Sequence, residues 1–169
     1  MPTERVLVTG GSGFLAVHCI AKLLDKGFRV RATLRAVGRE ADVRTMLKAA
    51  GVDPGDRLEF AIADLTADVG WEAAARGCAY VLHVASPLPR VQPKNADDLV
   101  APARDGTLRV LNAARNAGVR RVVLTSSFAA IGYGRPLVSR PFTEADWTDE
   151  TADVTPAAGA CAARRQGVG

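Results

Sequence analysis

The sequence is poor in the residues that several common kinds of protein require. Its 169 residues include three cysteines, Cys19, Cys78 and Cys161, which are widely spaced. An odd and scattered set argues against a disulfide framework or a zinc site, so we expect reduced thiols, no metal and a cytoplasmic location. Aromatic residues make up only 5% of the chain. Because no recognition motif occurs either, we expect no nucleic-acid partner.

Long runs of one residue character are also missing. The 22 basic and 18 acidic residues give a formal net charge of +4, and they are dispersed as on a solvated surface. No stretch approaches the ~18 consecutive apolar residues of a membrane span, and the beginning of the chain has no apolar signal region, so we expect no membrane partner. The 48% of hydrophobic residues can form the core of one domain.

Short β-rich apolar runs alternate with segments of helical periodicity over the first 125 residues. The runs predict strands at residues 5–9, 28–34, 58–63, 80–85 and 122–125. The periodic segments predict helices at residues 13–26, 39–50, 71–76 and 97–117. This alternation predicts an α/β fold with right-handed crossovers and a parallel sheet covered on both faces. Five strands fit the 3-2-1-4-5 part of a doubly wound, Rossmann-type sheet.

The first predicted strand runs directly into a glycine-rich turn, TGGSGFLA at residues 9–16. Gly10 permits a tight turn, and Gly13 lets a phosphate approach the backbone because no Cβ stands in the way. Ala16 is small enough for the helix to pack on the sheet. The free N–H groups and the dipole at the start of that helix favour a pyrophosphate, so the turn predicts nucleotide binding. The alternative is a turn with a purely structural role.

The end of the second predicted strand indicates which dinucleotide would bind. An NAD site usually has an acidic residue here, which holds the ribose 2′-hydroxyl. This sequence has Leu34-Arg35 instead, with Arg39 nearby. A guanidinium suits a 2′-phosphate through forked, charge-assisted hydrogen bonds, which favours NADP over NAD. The alternative is that Arg35 is a solvated residue at the strand end.

Five short motifs occur in a characteristic order. They are TGGSGFLA after the first strand, VRATLR on the second, ADLT after the third, HVASP after the fourth and TSSFAAIGYG after the fifth. In this set the chain resembles the extended short-chain dehydrogenase/reductases, also called the NAD-dependent epimerase/dehydratase family. It is most similar to the branch of dihydroflavonol reductase, cinnamoyl-CoA reductase and aldehyde reductase. The resemblance covers roughly residues 4–150.

The resemblance implies a role for each matching residue. Pyrophosphate-binding positions would be Gly10, Gly13, Phe14 and Leu15, and Arg35 would contact the 2′-phosphate. The adenine would lie at Asp64 and Leu65. The ribose next to the nicotinamide would be flanked by Val84, Ala85 and Ser86. Ser127 would be the catalytic serine that orients the oxygen of a small carbonyl or alcohol substrate. Taken alone, this serine is better interpreted as a strand-end residue that caps the backbone, and it is the ordered set of motifs that favours the catalytic role. We expect His18 and His83 to be packed or surface residues rather than ligands.

The catalytic tyrosine and lysine of this family are missing from the sequence. The resemblance implies a Tyr-x-x-x-Lys beyond Ser127, but Tyr80 is followed four residues later by Val84, and Tyr133 by Leu137. In the family the tyrosine moves the proton and the lysine lowers its pKa. Where that motif is expected, after Pro156, the sequence has alanine and then Cys161.

We therefore expect residues 1–150 to form an NAD(P)-binding domain that is incomplete relative to the family. Residues 151–169 would be a low-complexity, poorly ordered tail, and the C-terminal substrate domain would be absent. The chain would then be an interrupted, inactive oxidoreductase, with uncovered apolar surface that favours association, including homo-oligomers. Two alternatives stay open. One is a non-catalytic NADP-binding or sensing module, and the other is a subunit completed by another chain.

Overall fold

The structure, a computed structural model, describes residues 4–87, 95, 97–132 and 139–148. Its strands are β1 (Arg5–Val8), β2 (Arg29–Leu34), β3 (Leu58–Ile62), β4 (Tyr80–His83) and β5 (Arg121–Leu124). Its α-helices are α1 (Phe14–Asp25), α2 (Glu40–Ala49), α3 (Trp71–Ala75) and α4 (Asp97–Asn116), and short 3₁₀ turns occupy Gly55–Arg57 and Phe128–Ala130. Every predicted strand and helix is confirmed, with ends that differ by at most two residues.

The five strands form one parallel sheet in the order β3-β2-β1-β4-β5. The predicted α/β fold and its strand order are confirmed. From β1 the chain first builds outward through β2 and β3, and then returns to add β4 and β5 on the other side. The carboxyl ends of β1 and β4 therefore border the point where the strand order reverses. In open α/β sheets this switch point is where ligands bind.

The alternation of side chains along β1 creates a hydrophobic core on each face of the sheet. Val6 and Val8 belong to a buried cluster with residues of α1 and α2, among them Ile20 and Leu47. Leu7 points to the opposite face and belongs to a second cluster, whose members include Trp71, Ala74, Val81, Val110 and Ala114. Helices thus cover both faces of the sheet, as a buried parallel sheet requires.

The short helix α3 is fixed to the sheet by an arginine that the sequence patterns did not single out. Arg31 lies on β2, and its Nη1 is 3.2, 2.8 and 2.7 Å from the carbonyl oxygens of Ala73, Ala74 and Arg76. Its Nη2 is 3.1 Å from Glu59 Oε1, and the side chain is only 14% exposed. A guanidinium at this position satisfies carbonyls that the end of a helix leaves without partners.

The chain divides into two compact units. The first consists of residues 1–86 and 106–125 and contains all five strands, whereas the second consists of residues 87–105 and 126–169. In the second unit the buried carboxylate of Asp146 accepts hydrogen bonds from Arg140 and from the N–H of Thr143, each at 2.8 Å.

None of the helices in the described ranges combines the length and apolarity that a membrane-spanning helix needs. The predicted tail, residues 151–169, lies outside the described residues.

Two glycines have nearly the same φ but different surroundings, so substituting each of them distinguishes the cost of backbone strain from the cost of steric overlap. Gly70, which precedes α3, has a φ of 95°, and Gly38 has a φ of 96°. A Cβ at Gly70 would overlap the carbonyl oxygen of Ile62, whereas a Cβ at Gly38 would meet nothing within 4 Å. We expect Gly38→Ala to lower the free energy of unfolding by about 1 kcal/mol, for backbone strain alone. Gly70→Ala should lower it by about 3 kcal/mol or more, because overlap is added to strain.

Urea unfolding followed by circular dichroism measures both changes. Equal losses of stability in the two variants would contradict the packing of Gly70 against β3.

Candidate functional site

The carboxyl edge of the sheet gathers most of the residues that the sequence singled out. Gly10 follows β1, Arg35 follows β2, Asp64 follows β3, and Val84 and Ala85 follow β4. Because all five strands are parallel, these positions come to the same edge, and all of them belong to the first compact unit. A ligand that crosses this edge could contact every one of them.

Gly10 forms the turn between β1 and α1 and packs against the segment that follows β4. Its φ is 70°, a conformation that favours glycine. Its N–H donates to Thr33 Oγ1 at 2.9 Å. A Cβ at Gly10 would lie 3.0 Å from the Cβ of Ala85 and 3.2 Å from its Cα. Glycine is therefore needed here both for the turn and for the close approach of two chain segments.

The other two glycines of the turn have different tasks. Gly11 is buried, and a Cβ there would lie 2.7 Å from the Cβ of Ala32, so its role is packing against β2. Gly13 is exposed, and a Cβ there would meet only the carbonyl oxygen of Gly10, at 3.2 Å. The side of Gly13 away from the turn is thus open to a ligand. The glycine spacing predicts the role of Gly13 but not that of Gly11.

The start of α1 has the features of an anion site. Gly13 is the N-cap and no side chain caps the helix. Its first turn contains no acidic residue, whereas those of α2, α3 and α4 do. The positive end of the α1 dipole is therefore left uncompensated, which suits a phosphate. Phe14 and Leu15 stand beside it as exposed apolar side chains, 83% and 47% accessible.

Thr9 and His83, which are both fully buried, connect the ends of β1 and β4. Thr9 Oγ1 lies 2.9 Å from His83 Nδ1 and accepts the N–H groups of Val84 and Ala85 at 3.0 and 2.9 Å. His83 is thus a packed residue, one of the two settings expected from the sequence. Its bond to Thr9 was not anticipated, because the two residues are 74 positions apart in the sequence.

Arg35 and Asp64 stand at the ends of neighbouring strands. Arg35 is exposed, and Asp64 Oδ1 accepts the N–H and the hydroxyl of Thr66, both at 2.8 Å. The pKa of Asp64 is lowered, chiefly by the Thr66 N–H, then by the Thr66 hydroxyl, and by the charge of Arg35, while burial opposes the shift. The carboxylate is therefore an anionic acceptor at neutral pH.

The remaining predicted residues occupy different settings. Leu65 is buried and belongs to the core cluster of Trp71 and Val110, while its carbonyl oxygen accepts from Arg109 Nη1 at 2.9 Å. Ser86 is exposed. Ser127 belongs to the second unit, where its Oγ accepts the N–H of Ala129 at 3.2 Å and caps a 3₁₀ turn.

Histidine, cysteine and acidic side chains do not gather into a metal-binding group anywhere in the described part of the chain. His18 is exposed and makes an edge-on ring contact with Phe14, with centroids 4.7 Å apart. Cys19 and Cys78 are free thiols. The chemistry of the carboxyl edge therefore comes from backbone N–H groups, one guanidinium and one carboxylate.

Comparisons with known proteins agree with this geometry. Residues 6–159 match the model of the NAD dependent epimerase/dehydratase family. The chain is 37% identical over 151 residues to an anthocyanidin reductase of Vitis vinifera, covering 86% of this chain and 43% of that enzyme. It is 35% identical over 144 residues to a cinnamoyl-CoA reductase of Medicago truncatula, covering 84% of this chain and 44% of that enzyme. The chain thus spans less than half the length of these relatives.

A solved structure has the same fold. It is the yeast methylglyoxal/isovaleraldehyde reductase Gre2 in complex with NADPH, which superposes with a TM-score of 0.76 at 25% sequence identity. The superposition covers 96% of this chain and 50% of the yeast enzyme.

The titration of Asp64 tests the electrostatics of this edge. We expect its pKa, followed by carbon NMR of the carboxyl group, to lie below the ordinary range of an aspartate. Thr66→Ala should raise it because a hydrogen bond to the charged form is lost, and Arg35→Ala should raise it by less. Because the folded-state pKa is depressed, the carboxylate stabilises the fold above the ordinary range, and that contribution is lost as the pH falls through the folded-state pKa. A larger rise for Arg35→Ala than for Thr66→Ala would contradict the assigned order of causes.

Proposed function

Because the chain belongs to the NAD-dependent epimerase/dehydratase family of extended short-chain dehydrogenase/reductases, we propose that it is the nucleotide-binding part of an NADP-dependent oxidoreductase. The reaction would be carbonyl reduction or alcohol oxidation on a small molecule. One observation carries the proposal: an uncapped glycine turn lies at the switch point of the sheet, and an exposed arginine ends the neighbouring strand β2.

The residues at the carboxyl edge fit an extended dinucleotide. Gly10, Gly13, Phe14 and Leu15 would hold the pyrophosphate at the start of α1. Arg35 would bind the 2′-phosphate, and Asp64 and Leu65 would contact the adenine. Val84, Ala85 and Ser86 would flank the ribose next to the nicotinamide. The bound cofactor would supply the hydride, and the NADPH complex of the yeast relative supports this choice.

NADP is preferred over NAD because of the charge at the end of β2. An acidic residue there would hold a ribose 2′-hydroxyl and repel a 2′-phosphate. Arg35 has the opposite charge, and its guanidinium can donate two parallel hydrogen bonds to a phosphate. The second arginine of this loop, Arg39, is already paired with Asp42, with Nε 2.8 Å from Oδ2. Arg35 is therefore the residue on which the preference would rest.

The tyrosine–lysine pair that moves the proton in the family is missing from the sequence. Ser127 would orient the substrate oxygen, but Tyr-x-x-x-Lys does not occur in the sequence. Tyr80 cannot replace it, because it begins β4 at the amino edge of the sheet, where the guanidinium carbon of Arg120 lies 4.7 Å from its ring centroid. Tyr133 lies outside the described residues. We therefore propose that this chain binds cofactor with little or no turnover of its own.

A second candidate function follows from the same missing motif. A chain that has the cofactor edge without the proton donor would serve as a non-catalytic NADP-binding or sensing module. In either case we propose residues 1–150 as the NAD(P)-binding domain, and a cytoplasmic location, where free thiols such as Cys19 and Cys78 stay reduced. The two functions are distinguished by turnover when a longer chain, or a partner chain, supplies the missing tyrosine and lysine. The oxidoreductase then turns over, whereas the binding module does not.

The first test is cofactor selectivity. We expect isothermal titration to give saturable binding of NADPH and weaker binding of NADH. Arg35→Ala should weaken NADPH about tenfold, the worth of a lost charge-assisted hydrogen bond, and leave NADH unchanged. The matched control is Arg39→Ala, which removes an arginine already paired with Asp42 and should change neither affinity. Equal losses of NADPH affinity in both variants would contradict the assignment of Arg35.

The second test is turnover. Oxidation of NADPH by a panel of small aldehydes and ketones should stay at the background rate. General acid–base catalysis alone contributes about 10²–10⁴-fold, and the tyrosine–lysine pair that supplies it is missing. A Ser127→Ala variant serves as the control and should leave this background unchanged. A rate well above background that Ser127→Ala abolishes would contradict the proposal that the chain lacks its proton donor.

A further inference from the structure

The hydroxyl of Thr9 has three hydrogen-bond partners at the switch point of the sheet. It accepts the N–H of Val84 at 3.0 Å and the N–H of Ala85 at 2.9 Å, and it lies 2.9 Å from His83 Nδ1. A threonine hydroxyl has two acceptor lone pairs and one hydrogen to donate. The two amides use both lone pairs, so the hydroxyl donates its hydrogen to His83 Nδ1.

This arrangement determines the state of His83. Since the hydroxyl hydrogen needs an acceptor, we assign Nδ1 as that acceptor, which places the ring hydrogen on Nε2. Thr9 and His83 are 0% and 1% exposed, so water cannot easily replace either partner. With the acceptor at Nδ1 in place, the hydroxyl has a single orientation, in which both lone pairs face the two amides. Without it, a buried hydroxyl hydrogen is unsatisfied, or the hydroxyl rotates and an amide loses its acceptor.

The two amides belong to the segment that forms one wall of the carboxyl edge. Ala85 lies against Gly10, since a Cβ on that glycine would be only 3.0 Å from the Ala85 Cβ. On the far side, the carbonyl oxygen of His83 accepts the N–H of Thr125 at 3.0 Å, which ties the same segment to β5. The position of Val84 and Ala85 relative to the glycine turn therefore depends on the Thr9 hydroxyl.

We propose that His83 is a positioning residue for the nicotinamide half of the cofactor. Acting through the Thr9 hydroxyl, it holds the Val84–Ala85 backbone at the spacing from the glycine turn that the ribose next to the nicotinamide requires. The inference rests on the proposed function, since it needs a dinucleotide at this edge. It assigns no role to His83 at the other end of the cofactor, where Arg35 and Asp64 stand at the ends of β2 and β3.

Two probes and two substitutions test this role. NADPH spans the whole edge, whereas adenosine 2′,5′-bisphosphate carries the adenine, its ribose, the 2′-phosphate and the 5′-phosphate, and lacks the nicotinamide and the ribose next to it. His83→Leu removes the acceptor and puts an apolar side chain of similar size in the same buried place. His83→Asn is the matched control, because an asparagine oxygen can occupy the place of Nδ1. Isothermal titration measures the affinity of each variant for both probes, and thermal unfolding reports whether it folds.

We expect His83→Leu to weaken NADPH binding about tenfold, the cost of one unsatisfied buried hydrogen bond. Binding of adenosine 2′,5′-bisphosphate should stay within about twofold of the unsubstituted chain, and His83→Asn should restore most of the NADPH affinity. If His83→Leu fails to fold, two substitutions of Thr9 give the same comparison. Thr9→Val removes the hydroxyl, and Thr9→Ser is its control because serine retains it.

Equal weakening of both probes would overturn the positioning role and indicate a general loss of structure. Unchanged NADPH binding in His83→Leu and Thr9→Val would also overturn it, and would leave the proposed function intact. Absence of NADPH binding by the unsubstituted, folded chain would contradict the proposed function itself, and the positioning role with it.

Discussion

The end of β1 is packed between its two neighbouring strands so closely that only small residues fit. A Cβ on Gly11 would lie 2.7 Å from the Cβ of Ala32 on β2, and a Cβ on Gly10 would lie 3.0 Å from Ala85 beyond β4. Backbone N–H groups of the turn bind Thr33 on one side, while the Thr9 hydroxyl binds the β4 segment on the other. This close approach brings the start of α1, with its uncapped N–H groups, to the switch point of the sheet. Every role that we assign to the carboxyl edge depends on that geometry.

The rest of the first unit serves as a frame for this edge. Side chains of β1 alternate between two hydrophobic clusters, so the strand is held from both faces. Arg31 fixes α3 through its terminal carbonyls, and Gly70 lets the chain pass close to Ile62 before that helix begins. These contacts help to hold β2 and β3, which are followed by Arg35 and Asp64. The amino edge has a different character, with Tyr80 held beneath Arg120.

The sequence predicted the elements well because local pattern determines them. Short β-rich apolar runs predicted all five strands, and their alternation with helices predicted a parallel sheet, while the 3-2-1-4-5 order came from the fit of five strands to a Rossmann-type fold. The glycine turn could be predicted because its spacing follows from the approach of a phosphate to the backbone. The role of Arg31 could not be predicted, because its carbonyl partners in and just after α3 are 42 to 45 residues away in the sequence. The bond between Thr9 and His83 joins residues 74 positions apart, and nothing in the periodicity of either strand indicates it. The sequence pattern also did not indicate that the side chain of Leu65 packs in the core cluster of Trp71 and Val110.

The most direct measurement is a titration of the isotopically labelled chain with NADPH, followed by amide NMR spectra. If a dinucleotide lies across the carboxyl edge, saturable shifts will concentrate at residues 10–15, 33–35, 64–65 and 84–86. Amides near the start of β4, such as that of Tyr80, will stay in place. Saturable shifts centred on the amino edge, or none in a folded chain, would contradict the central claim that the turn after β1 binds a dinucleotide.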